Sequence, residues 1–165
     1  MRSESYEEGL KEAKSLVQVF KLVRRIVEER LGLRRAGVEI ALATLPPSRE
    51  ALTDPASNYI ILNQNIIHAL TQLTENETEL KSYLFRRLLE EYLKTLGITQ
   101  EEATNITKQL IKQTFQQNHP IQKYTTTKIT ELYPEITLTP HHKTQQTKIH
   151  ILTEETDNDT PKYIA

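Results

Sequence analysis

The sequence predicts an α+β fold. Apolar residues recur at helical spacing over long stretches, two short β-branched runs (VEIALATL and NYIILN) lie among prolines, and capping signals reopen helices after them. The chain has 165 residues, enough for one domain-sized core, and 37% of them are hydrophobic.

From Tyr6 to Leu33 the residues Leu10, Ala13, Leu16, Val17, Phe20, Val23, Val27 and Leu31 mark one apolar face, so a long amphipathic helix is expected, with a break near Gly9 and an end at Gly32. The runs near 38–45 and 58–63 read as two strands joined by a loop, because Pro46, Pro47 and Pro55 punctuate them. Asn63 is placed to cap a short helix to Leu73. Thr74 with Glu77 forms a TxxE capping box for a helix over about 75–96 that stops at Gly97, and Thr99 with Glu102 repeats the box for the next helix, which ends by Pro120. After Tyr124 the composition turns to Thr, Gln and His without Arg. There EITLT and TKIHIL alternate like the limbs of a hairpin, followed by a solvated tail from Glu154. This divides the chain into an N-terminal basic helix (1–35), a core (36–124) and a C-terminal extension (125–165).

Composition removes several function classes. No Cys is present, which excludes disulfides, thiolate metal sites and Cys nucleophiles. The four glycines, Gly9, Gly32, Gly37 and Gly97, are scattered, so no Gly-rich phosphate loop exists. Ser48, Ser57 and Ser82 lie in no nucleophile elbow. The histidines His68, His119, His141, His142 and His150 lack zinc-ligand spacing. The N-terminus has no signal-peptide apolar run and no stretch is long enough to span a bilayer, so an intracellular, cytoplasmic protein is expected.

The balance of 21 Lys and Arg against 22 Asp and Glu gives a net charge of -1 and no bulk attraction to polyanions. One local exception is KLVRRIVEERLGLRR, where Lys21, Arg24, Arg25, Arg30, Arg34 and Arg35 form a basic stripe suited to phosphate, RNA or an acidic protein. Arg86 and Arg87 extend that stripe if the helices pack side by side.

The most informative segment is YLFRRLLEEYLKTLGI, residues 83–98. It resembles the active-site helix of small HExxH metallopeptidases of the minigluzincin type, a family of small archaeal proteins: their frame LLHEYLHxLG overlays LLEEYLKTLG. The resemblance runs from the strand pair near Val38 to FQQNHP at 115–120. It places Glu90, Glu91 and Lys94 where the family has its first His, its Glu and its second His, and puts the family's further metal-binding carboxylate in the region of Glu101 or Glu102. In the intact motif two imidazoles at i and i+4 hold one zinc while the Glu between them polarises the bound water. Here Lys94 brings an ammonium without a lone pair, and Glu91 has no activated water to serve.

The resemblance therefore implies a pseudo-peptidase: a non-catalytic binding or regulatory module without cofactor, in a prokaryotic cytoplasm, with a peptide or protein partner added at the sheet edge. A Glu90–Lys94 ion pair is expected in place of the metal bridge, contributing about 0.3 to 0.5 kcal/mol if exposed. From another class comes an accessory subunit of a ribonucleoprotein or other large assembly, held through the basic N-terminal helix. A third expectation is a hydrolase with an altered metal site at Glu90, Glu91 and Glu102.

Overall fold

The computed structural model describes residues 3–138 and 150–152. In chain order the elements are α1 (Ser3–Glu12), α2 (Leu16–Leu31), β1 (Glu39–Ala43), β2 (Ala51–Thr53), β3 (Tyr59–Asn63), α3 (Gln64–Leu73), α4 (Glu77–Thr95) and α5 (Gln100–Thr114). A 3-10 turn at Pro120–Gln122 follows, then α6 (Lys123–Thr126), α7 (Ile129–Leu132), α8 (Glu135–Leu138) and β4 (His150–Leu152). The fold is α+β, as the periodicities predict.

The first helix is two. Its break falls at Ala13–Ser15 rather than near Gly9, because SLVQ is itself a capping box: the Ser15 hydroxyl accepts the Gln18 N–H at 3.2 Å, and Gln18 Oε1 accepts the Lys14 N–H at 2.6 Å. Gly9 stays helical and allows α1 and α2 to approach, since a Cβ there would lie 2.9 Å from Leu22 Cδ2. At the far end of α2, Gly32 adopts φ +70° and its N–H closes on the Glu28 carbonyl at 3.0 Å.

The sheet order is β2-β3-β1-β4. Parallel β1 and β3 pair Ile40 with Ile60 and Leu42 with Leu62, while β2 runs antiparallel to β3 with Leu52 opposite Ile61. β2 replaces part of the loop expected between two strands. Asn63 organises this corner: its Nδ2 donates to the carbonyls of Leu45 (3.0 Å), Pro46 (3.1 Å) and Arg49 (3.0 Å), and its Oδ1 accepts the Asn65 N–H that caps α3. The next helix starts at an Asn76 cap, not at Thr74, whose hydroxyl instead donates to Leu70 O at 2.7 Å and closes α3.

In the C-terminal region the two expected hairpin limbs differ. Residues 135–138 are helical rather than extended, entered through an Ile136 N–H donated to Tyr133 O, and Ile136 is buried. Residues 150–152 do form a strand, antiparallel to β1 with Ala41 opposite Ile151. The segment PHHKTQQ and the tail from Glu154 lie outside the described residues.

α4 is the centre of the molecule. Leu88, Leu89, Tyr92 and Leu93 are buried in one core cluster that also takes Tyr6 and Val23 from the N-terminal helices, Ile60 from the sheet and Ile121 from beyond α5. Three edge-on aromatic pairs tie α4 to its neighbours, Phe20–Tyr92 at 5.5 Å, Phe85–Phe115 at 5.3 Å and Tyr83–Tyr124 at 6.0 Å between ring centroids. Residues 1–35 and 36–124 thus share one core. Among the described residues, no helix is long and apolar enough to cross a membrane.

Candidate functional site

Where α4 passes β2 and the start of α5, its polar face is buried. Glu90 is 3% and Glu91 1% exposed, so their charges must be matched within the protein. Glu91 accepts the Thr53 hydroxyl at 2.7 Å through Oε1, which also meets Lys94 Nζ at 3.1 Å, while its Oε2 takes Arg87 Nη1 at 2.8 Å. Glu90 Oε1 pairs with Arg86 Nη2 at 3.0 Å; its Oε2 accepts Gln100 Nε2 at 2.5 Å and the Thr104 hydroxyl at 3.2 Å. Gln100 bridges Glu90 to Lys94, accepting from Nζ at 2.8 Å. At the other end Glu50 lies 3.5 Å from Arg87 Nε and accepts the Tyr83 hydroxyl at 2.7 Å. Three carboxylates (Glu50, Glu90, Glu91) therefore face three cations (Arg86, Arg87, Lys94) in one network drawn from α4, β2, α5 and the loop before β2.

Burial alone would raise the Glu91 carboxyl pKa, but the charges of Arg87 and Lys94 and the hydrogen bonds from Thr53 and Arg87 outweigh it and hold the group below the ordinary glutamate range. Burial would likewise lower Arg87, yet Glu50, Tyr83 and the two glutamates of α4 leave its guanidinium more firmly protonated than usual. The Tyr83 phenol is driven well above its ordinary pKa by burial, then by the Glu50 charge.

This geometry revises several expectations. Glu90 does not pair with Lys94. Each acid of the helix instead meets the arginine four residues before it, Arg86 for Glu90 and Arg87 for Glu91, and Lys94 turns to Glu91. Glu101 and Glu102 are exposed in the first turn of α5; the side chains that reach the cluster from that helix are those of Gln100 and Thr104. The altered metal set of Glu90, Glu91 and Glu102 is therefore not assembled. Arg86 and Arg87 do not extend the basic stripe, because they are drawn into the cluster by the carboxylates beside them.

The stripe itself is partly committed to structure. Arg35 clamps α4 to the loop between β2 and β3: Nη1 donates to Thr95 O at 2.6 Å and Pro55 O at 3.0 Å, and Nη2 to Ser57 O at 3.2 Å. Arg24 stacks over Phe20 and Arg25 over Tyr6, at 5.1 and 5.0 Å from the ring centroids. Lys21, Arg24, Arg25, Arg34 and Arg35 do converge on one cavity of about 240 Å3. Arg30 is half-buried outside that lining, and exposed Arg34 lies 3.9 Å from Glu28. Of the histidines, His68 is exposed on α3, and His119 Nδ1 accepts the Ile121 N–H at 3.1 Å at the 3-10 turn.

The donor set does not suit zinc. The carboxylates of α4 are engaged by cations, Lys94 puts an ammonium against them, and among the described residues no group of three His, Cys, Asp or Glu is arranged to hold a metal ion. Beside the cluster a larger cavity of about 880 Å3 opens between α4, α5, the loop before β2 and residues 124–130. Thr53, Gln100, Thr104 and Glu50 escaped sequence reasoning; only Gln100, one residue past the Thr99 cap, left a trace in the TQEE helix start. Comparison with family models, curated proteins and solved structures returns no significant match to this chain.

Proposed function

We propose that the chain is a non-catalytic, metallopeptidase-like module that binds an extended peptide or protein segment in a prokaryotic cytoplasm. The observation that carries this reading is the position of Lys94. Its ammonium sits 3.1 Å from Glu91 and 2.8 Å from Gln100, so the helix face that resembles a zinc site is closed by a neutral ion network. With Glu91 engaged by Thr53, Arg87 and Lys94 and its carboxyl held below the ordinary glutamate range, it lacks the raised basicity that a general base needs. What remains usable is shape: β2 has β3 as its one strand neighbour among the described residues, and its Leu52 is 42% exposed. A peptide can extend the sheet there through main-chain hydrogen bonds.

The reading is tested by restoring the ligands. Gln100 touches both Glu90 and Lys94, so combining Glu90→His, Lys94→His and Gln100→Glu sets two imidazoles and a carboxylate around one point. The triple variant is expected to keep stoichiometric zinc through gel filtration, while the unaltered protein keeps none. Stoichiometric zinc in the unaltered protein, with peptidase activity lost on Glu90→Ala, would overturn the proposal.

A further inference from the structure

The ion network is neutral, but the cavity next to it is not. Of the charged side chains lining that cavity of about 880 Å3, four are cations, Arg86, Arg87, Lys108 and Lys128, against a single carboxylate, Glu50. Glu50 is already shared between Arg87 and Tyr83. Arg86 has Glu90 as its one ion-pair partner, and its buried Nε has no hydrogen-bond partner at all. An arginine with five donors and one partner, nearly buried, is an incompletely satisfied group on the wall of a polar cavity. The neighbouring walls add the hydroxyls of Thr126, Thr127 and Thr130. Burial and the adjacent Arg87 charge both press the Arg86 pKa downward, a strain that a bound anion relieves.

Position decides which anion. The lining includes Pro47, Ser48 and Glu50, the residues that lead into Ala51, so the cavity lies at the N-terminal end of β2. A segment added antiparallel to β2 brings its C-terminal end to the cavity; one added in parallel brings its ammonium toward Lys108 and Lys128, the lining cations outside the ion network, and is repelled. Resting on the peptide-binding reading above, we propose that this cavity is a carboxylate pocket, which takes the C-terminal carboxylate of an extended peptide lying antiparallel along the free edge of β2, with Arg86 and Lys108 as its principal contacts.

The test uses the full-length chain labelled with 15N and three probes at matched ionic strength: a random hexapeptide mixture with free C-termini, the same mixture amidated, and inorganic phosphate. The free mixture is expected to shift the Arg86 side-chain resonance together with the Ala51, Leu52 and Thr53 amides. Amidation is expected to weaken binding about tenfold, as for loss of one charge-assisted hydrogen-bonded contact, and to leave the Arg86 resonance in place. Arg86→Gln should erase the difference between the mixtures; because that change also removes a partner of buried Glu90, Lys108→Gln on the exposed wall serves as the second variant and should reduce it about threefold. If both mixtures shift the β2 amides equally, the carboxylate pocket is wrong and peptide binding stands. If phosphate moves the Arg86 resonance as strongly as the free peptides do, the pocket is a general anion site and the proposal falls. If neither mixture moves any amide of β2, both readings fall.

Discussion

Arg87 reaches Glu50, Glu90 and Glu91, at 3.5, 3.6 and 2.8 Å, from a side chain that is 11% exposed. Removing its charge strands the buried acids, and a broken buried pair costs far more than the intact pair contributes. Arg87→Met is therefore expected to lower unfolding free energy by about 3 to 5 kcal/mol, read from urea denaturation. Glu91 adds a pH signature. Its carboxyl pKa is depressed in the folded state, so its contribution is fully present above the ordinary glutamate value near 4.5 and fades as pH falls through the lower folded value. Glu91→Gln should flatten the stability profile in that acid window, measured by denaturation at successive pH values. These residues were only half legible beforehand. LLEEYLKT marked Glu90, Glu91 and Lys94 as special, but local spacing offered each acid more than one cation: Arg86, Arg87 and Lys94 for Glu90, Arg87 and Lys94 for Glu91. Burial, together with Thr53 and Gln100 from other elements, selected among them.

Helix boundaries obey local chemistry wherever a cap can be read. Asn63, Thr99 and Gly32 each end or begin a helix where their residue type says they should. The break between α1 and α2 was legible too, in Ser15 and Gln18, but the more familiar signal of Gly9 obscured it. Ser15→Ala is expected to cost about 1 kcal/mol, a fall in Tm of about 2 to 4 °C for a chain of this size. Gln18→Ala, which removes the reciprocal bond to the Lys14 N–H, should lower Tm in the same direction by less, both by thermal melting. β2 was not legible because three residues carry no period, and the strand exists through its pairing with β3. EITL alternates as a strand does, yet Ile136 finds its burial from a helical turn following Pro134. A four-residue pattern cannot distinguish the two.

At the scale of the whole molecule, α4 is packed by the N-terminal helices, the sheet and α5 around one core. Among the described residues their buried side chains form one continuous cluster. Unfolding is expected to be a single transition, with far-UV circular dichroism and the fluorescence of the seven tyrosines coincident; separate midpoints would show independent units. The α+β class was legible because it needs only periodicity, whereas the sheet order was not, since it depends on which distant strands meet. The pairing of β1 with β4 has a consequence in time. Leu42 finds its partner His150 more than 100 residues later in the chain. During synthesis, that edge of β1 is left without its strand partner until α3, α4 and α5 have all emerged, and for that interval the nascent chain offers an open strand to its neighbours on a crowded polysome.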